Sequence, residues 1–184
     1  MSTELRPKGY GSLFSPLHIL LQSGLALLFF FAGELDRKFG LWFVLVPILG
    51  VPAIAVGVTW VVGIARSSLR RDWMRAASVA AAPLIVWPLL ILALHKGFDS
   101  HWLRFQITKS GYEASIQTLR SASPAYHSWD WGTTGGAASV NIFHSLIYDE
   151  TDQTPRRAIE ASKDFETQVR GFGGHFYLVT QIYQ

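Results

Sequence analysis

The chain contains no cysteine. This excludes a disulfide framework, a thiol nucleophile and a thiolate metal site. Several other signatures are also missing. There is no H-E-x-x-H or H-x-H spacing for zinc, no G-x-S-x-G turn for a serine nucleophile, and no Lys-Ser/Thr ending to a glycine-rich phosphate loop. Nothing in the chain calls for a cofactor, and the absences weigh against an enzyme. The most informative absence is of charge. Residues 40–65 and 76–94 contain no Asp, Glu, Lys or Arg. As helices rising 1.5 Å per residue, runs of about 26 and about 19 residues are long enough to cross a hydrocarbon core of about 30 Å. Continuous runs of this kind are helices rather than barrel strands, because in lipid every backbone N–H and C=O must be paired internally.

What lies between the two runs is the opposite. Residues 66–75 read R-S-S-L-R-R-D-W-M-R, with Arg66, Arg70, Arg71 and Arg75 against Asp72. Positive residues in short loops stay on the cytoplasmic side, so this loop sets the topology. Each such cation also contributes about 1 kcal/mol of attraction to an anionic membrane surface, which makes the four arginines candidate lipid contacts. The pI of about 9.3 invites a nucleic-acid reading, but the charge is unevenly spread. Residues 1–96 hold nine Lys/Arg against four Asp/Glu, and residues 97–184 hold seven against nine. The basic excess therefore belongs to topology, and no nucleic-acid partner is expected.

Read in order, the chain predicts a polar tail (1–12) with Arg6 and Lys8, then a transmembrane part (13–96) of three helices at about 13–33, 40–65 and 76–95. The first carries His18 and Gln22, which share a helical face and suit a hydrogen bond to a neighbouring helix. Residues 33–39 read as a tight charged loop, bordered by the aromatic residues Phe29, Phe30, Phe31, Phe39, Trp42 and Phe43. Pro47 and Pro52 in the second helix, and Pro83 and Pro88 in the third, each remove a helix hydrogen bond. Ala53/Gly57, Thr59/Gly63, Ala76/Ala80 and Ala77/Ala81 form small-residue faces for close packing. Counting spans puts the N-terminus in the cytoplasm and the C-terminal part outside it, at the inner membrane of a bacterium.

Residues 97–184 form the soluble part, expected as a small α+β domain with an antiparallel sheet. Phe98, Trp102 and Phe105 are expected to dock it on the membrane surface. Residues 104–120 read as a helix with Tyr112, Ile116 and Leu119 on one face. Residues 121–125 read as a loop, and the Gly-Thr-Thr-Gly-Gly run at 132–136 as a flexible turn. Residues 140–148 read as a strand, and residues 154–166 as a helix capped by Thr154 with Pro155 following. Residues 167–172 and 175–183 read as two strands joined at Gly173-Gly174.

Three motifs stand in this part: W-D-W-G at 129–132, L-I-Y-D-E-T-D at 146–152 and G-G-H-F-Y-L-V at 173–179. In this order, after membrane spans, they resemble a group of small uncharacterised bacterial membrane proteins with DWG, LxYDE(S/T)D and GGHFYLV motifs. The likeness covers about half of the soluble part, with Trp129 where that pattern leads one to expect Phe. It implies an architecture and no activity.

The candidate binding residues are Trp129, Asp130, Trp131, His144, Asp149, Glu150, Asp152 and His175. Trp129 and Trp131, two apart in an extended segment, face one way and suit either a binding surface or the core. Asp149, Glu150 and Asp152 read as a solvated turn capping the next helix. Two functional expectations follow. In the first, the extracytoplasmic domain binds a protein partner, as an accessory subunit, an immunity-type protein or an envelope sensor, while the helices sit in the lipid bilayer. In the second, a membrane-anchored metal-binding protein or hydrolase uses His127, His144 and His175.

Overall fold

A computed structural model describes residues 16–39, 42–119, 125–135, 141–161 and 166–183. The elements are α1 (Pro16–Phe30), α2 (Ala32–Phe39), α3 (Trp42–Leu69), α4 (Trp73–His95), α5 (Ser100–Leu119), β1 (Tyr126–Gly135), β2 (Asn141–Asp149), α6 (Thr154–Ala161), β3 (Glu166–Gly173) and β4 (Phe176–Tyr183). The expected tail 1–12, the opening of the first run, the 121–124 part of the expected loop, Gly136, and the expected helix end beyond Ala161 lie outside the described residues. Contacts divide the chain into two units. One comprises Met1–Phe29 and Leu49–Leu92, the other Phe30–Ile48 and Ala93–Gln184.

The first unit is helical. Two helices, Phe43–Leu69 and Trp73–His95, are long and apolar enough to cross a membrane, and α1 with α2 makes a third only if the pair counts as one span. Only 6% and 11% of the two most apolar windows is buried within the protein. Leu20, Ile54 and Leu84 are each more than two-thirds exposed, so these faces require an apolar environment of their own. The expected 66–75 loop is much shorter than its sequence suggests. α3 continues to Leu69, and Asp72 caps α4 by accepting the Arg75 amide at 3.2 Å. The chain therefore turns within Arg70, Arg71 and Asp72, with Arg71 at φ 55°.

Among the described residues, polar bonds link α1, α3 and α4 pairwise. Trp87 Nε1 donates to Gln22 Oε1 at 3.0 Å, joining α4 to α1. His18 Nε2 lies 3.4 Å from the Thr59 carbonyl, joining α1 to α3. Trp60 Nε1 donates to the Val79 carbonyl at 3.0 Å, joining α3 to α4. The last bond has a specific cause. In a regular helix the Val79 carbonyl accepts from the amide four residues on, and that residue is Pro83, which has none. The indole replaces the missing donor. Of the expected small-residue contacts, Gly63 is realised: a Cβ there would lie 2.5 Å from His18 Nε2, whereas a Cβ on Gly57 would meet nothing within 4 Å.

The second unit is an antiparallel sheet in the order β1-β2-β4-β3. α5 lies on one face. Phe105 and Ile116 of α5 pack with Trp131, Leu146, Tyr148, Phe176 and Leu178 as the core, and Tyr112, Trp129 and Phe172 border it. Phe105 is fully buried, which corrects its expected place on a membrane surface. It lies seven residues before Tyr112 and so extends the same helical face inward. Residues 33–39 are also corrected, being the helix α2 rather than a loop. A charged eight-residue helix has little stability alone. Here the Leu35 amide bonds the Phe31 carbonyl at 3.0 Å, and Arg37 bonds Glu34 Oε2 through both Nε and Nη2.

The glycine-rich stretch is corrected as well, since residues up to Gly135 belong to β1. The β3–β4 turn falls at Gly174-His175, one residue later than expected, because Gly173 pairs with Phe176. Gly174 and His175 both have positive φ, 62° and 68°, the conformation that two-residue hairpin turns demand.

The Trp60–Val79 bond generates a double-mutant prediction. Trp60→Phe leaves a carbonyl unpaired in apolar surroundings and is expected to destabilise the helical unit by about 1–3 kcal/mol. Pro83→Ala restores the amide, so Trp60→Phe should cost distinctly less in that background. Thermal unfolding of the four proteins in detergent measures the cycle, and equal costs in both backgrounds would contradict the assigned role.

Candidate functional site

The polar centre of the second unit is built where α2 sits on β1. β1 carries a bulge, with Asp130 opposite Ser145 and Gly132 opposite His144, so that Trp131 is the inserted residue. Asp130 Oδ1 accepts the Gly132 amide at 2.8 Å and holds the bulge shut. Gly132 has φ 107°, and a Cβ there would come within 2.6 Å of Arg37 Cδ. Glycine is thus required twice over, for the backbone angle and for the approach of α2. Three residues on, the Gly135 amide donates to Asp36 Oδ2 at 2.8 Å.

Beneath α2 lie two histidines, His101 on α5 and His144 on β2, with ring centroids 4.9 Å apart. His144 Nε2 lies 3.0 Å from Thr134 Oγ1 on β1, and Nδ1 lies 3.1 Å from Thr180 Oγ1 on β4. Both ring nitrogens are therefore occupied by hydroxyls able to donate or accept. Burial, followed by the neighbouring His101, lowers the His144 pKa to about 4. Burial also lowers that of His101, against the opposing pull of Asp99 and Glu34.

The tautomer of His101 follows from its partner. Trp131 Nε1 lies 3.2 Å from His101 Nδ1. An indole N–H only donates, so Nδ1 carries a lone pair and the ring proton sits on Nε2. Glu34 Oε1 is 3.5 Å from the same Nδ1. It is buried without a hydrogen-bond partner among the described residues, as is Asp36 Oδ1. Proton uptake at Nδ1 would break the Trp131 bond and supply Glu34 with a cationic partner. Arg104 completes the centre. Its guanidinium stacks 3.9 Å over the Trp131 ring and donates to the Trp131 carbonyl at 2.7 Å. Burial, then the nearby Arg37, pulls its pKa down.

Of the expected binding residues, His144 lies in this centre and Trp131 is its completely buried floor. Trp129 is half-buried, packed 4.9 Å from Tyr112. The other acidic residues have a different task. Asp149 is 1% exposed, which corrects the solvated-turn expectation, and what covers it is largely its own turn. Its Oδ1 accepts from the Thr151 amide (3.0 Å) and hydroxyl (2.5 Å), and its Oδ2 from the Gln153 amide and the Thr154 hydroxyl, both at 2.9 Å. Burial raises the Asp149 pKa, but these bonds outweigh it and hold the carboxyl below its ordinary value.

The first helical bond of α6 runs from the Arg157 amide to the Gln153 carbonyl. The cap is therefore Gln153, one residue earlier than expected, and Thr154 is the first helical residue. Glu150 Oε2 accepts the Ala125 amide at 2.9 Å. Asp152 Oδ1 accepts from Tyr177 Oη at 2.5 Å and lies 2.9 Å from His175 Nδ1. These bonds lower the Asp152 pKa and push that of Tyr177 up to about 12. The segments 146–152 and 173–179 are thus tied to each other by side chains as well as by the β2–β4 ladder.

The three histidines of the metal-site expectation occupy three places. His127 meets Trp129 edge to face at 4.5 Å between ring centroids, His144 lies between Thr134 and Thr180, and His175 sits at the β3–β4 turn. Among the described residues no group of three or more His, Cys, Asp or Glu side chains is placed to hold a metal ion. Sequence reasoning did not single out Glu34, Arg37, His101, Arg104, Thr134 or Thr180. None of them lies in a short motif, because the centre draws on α2, α5, β1, β2 and β4.

Two predictions follow. The unfolded chain takes up protons on histidine near pH 6.5, whereas folded His144 does so only near pH 4. Between those values the unfolded state binds more protons, so stability is complete above pH 6.5, falls as the pH drops, and levels off below about 4. The loss through His144 is roughly 3 kcal/mol. His144→Gln should flatten the pH dependence of urea unfolding across that window, and an unchanged slope would contradict the assignment. Second, Asp149→Ala strands several donors and should destabilise by about 2–4 kcal/mol. Asp149→Asn should lose less, and Asp152→Ala least, as measured by the same unfolding curves.

Comparison with protein-family models, with curated proteins and with solved structures finds no match for the chain.

Proposed function

We propose that this is an integral membrane protein whose α+β domain lies outside the cytoplasm and binds a protein partner through the outer surface of α5. The observation that carries the reading is a hollow of about 580 Å³ alongside α5. It is bordered by Ile107, Thr108, Gly111, Ser115 and the half-buried Trp129. Ile107 is 72% exposed and forms a ridge between this hollow and a second of about 270 Å³, bordered by Phe31 and Leu103. A projecting aliphatic residue, small floor residues and an aromatic wall are what a partner's anchor side chains pack against. The His101–His144 centre supports this surface from behind, by fixing Trp131 and hence the strand that carries Trp129. Counting α1 with α2 as one span, and taking the 66–75 turn as cytoplasmic because positive residues in short loops stay on that side, supports an outside position for the domain.

Two measurements test the reading. A reporter fused after Gln184 that is active only outside the cytoplasm should be active, and an active cytoplasmic reporter at the same place would reverse the topology. Full-length tagged protein should capture a reproducible partner after crosslinking. Ile107→Glu and Gly111→Trp should each reduce that capture at least about fivefold while leaving the unfolding curve in place. Capture that is equal in the variants and the parent would sink the assigned surface.

A further inference from the structure

The helical unit contains a cavity of about 380 Å³ at the end formed by the α3–α4 turn, within the range of about 300–1,000 Å³ typical of small-molecule sites. Three guanidinium-bearing residues line it: Arg66 and Arg70 from α3, and Arg75 from α4. Asp72 also borders it, but it is engaged in capping α4. Among the described residues none of the three guanidinium groups is hydrogen-bonded or ion-paired. Three cations against one carboxylate leave an excess of two positive charges around the space.

Apolar side chains border the cavity as well. Leu17 and Val62 border the cavity and are 60% and 38% exposed. Leu69, Trp73 and Met74, beside the arginines in sequence, are all more than 60% exposed. Gly63 lets α1 close on α3 and brings His18 to the cavity wall.

We infer that this cavity holds the phosphodiester head group of an anionic phospholipid, with Arg66, Arg70 and Arg75 binding the phosphate and the Leu17–Val62 side receiving an acyl chain. Guanidinium groups match phosphate oxygens bidentately, and basic pockets between apolar helices suit lipid head groups. A cavity for free phosphate would have no use for an exposed apolar wall. The inference rests on the membrane placement proposed above. It adds that one of the adjacent arginines at the turn is a ligand and the other is not, since Arg70 lines the cavity and Arg71 does not.

The test uses the full chain purified in detergent, with lipid retention read by native mass spectrometry. Phosphatidylglycerol should be retained in preference to phosphatidylcholine. Arg70→Gln should weaken that retention about five- to tenfold, and Arg71→Gln less than about twofold. Equal retention of the two lipids by the parent protein overturns the site without recourse to any variant. Equal loss in the two variants reduces it to general surface charge. Displacement of the lipid by millimolar inorganic phosphate would make it a site for the free anion and overturn the lipid assignment. Extraction from membranes with alkaline carbonate checks placement separately. A chain that washes out fails the membrane reading, and one that stays but does not discriminate lipids fails only this site.

Discussion

A buried polar group must find a partner, and much of this protein is arranged around that requirement. The Val79 carbonyl loses its amide to Pro83 and takes the Trp60 indole instead. The Trp131 carbonyl, exposed by a bulge, takes the Arg104 guanidinium. Buried Asp149 collects two amides and two hydroxyls from the turn that follows it. In each case the geometry of the neighbourhood is set by a donor reaching a place that regular secondary structure leaves empty. That requirement explains why tryptophan and arginine, large groups with N–H donors at their tips, recur at the junctions.

The histidine pair shows the same requirement with charge added. Held between two threonines, His144 is satisfied while neutral and strongly resists protonation. His101 accepts from Trp131 with a carboxylate oxygen of Glu34 close by. The centre is thus a pair of uncharged imidazoles flanked by the Arg104 guanidinium and the Glu34 carboxylate. A proton taken up at His101 Nδ1 would break the Trp131 bond and face Glu34 on α2, which the Gly135–Asp36 bond ties to β1. The same network holds the strand carrying Trp129 against α5, which links the chemistry of the core to the surface proposed for binding.

Much of the fold was legible in the chain. The uncharged runs announce their helices, because a run that long and apolar on every face pairs its backbone internally and seeks an apolar environment. The β-branched and aromatic content of β2, the alternation in β4, and the apolar spacing of Tyr112 and Ile116 mark two strands and a helix. What was misread shares a feature: α2 and β1 hold by tertiary contact rather than by local preference. Eight residues rich in charge look like a loop until Arg37 has a strand to pack on. A strand containing Gly132 and Gly135 looks like a turn until a helix needs the space their side chains would fill. Asp149 looks solvated in sequence because nothing local shows that its own turn will enclose it.

Residue order alone is enough to show which segments are apolar enough to cross a membrane, where positive charge concentrates, and that the C-terminal part is an antiparallel α+β domain. These follow from composition and period, which are properties of neighbouring residues. It takes the packed chain to make Trp131 core, to bring His144 to His101 and not to His127 or His175, and to put Arg70, but not Arg71, at a cavity. Those outcomes depend on a single-residue bulge, on crossings between distant elements, and on one backbone angle at a turn. Each is set by which buried groups find partners, and that is settled only when the whole chain has packed.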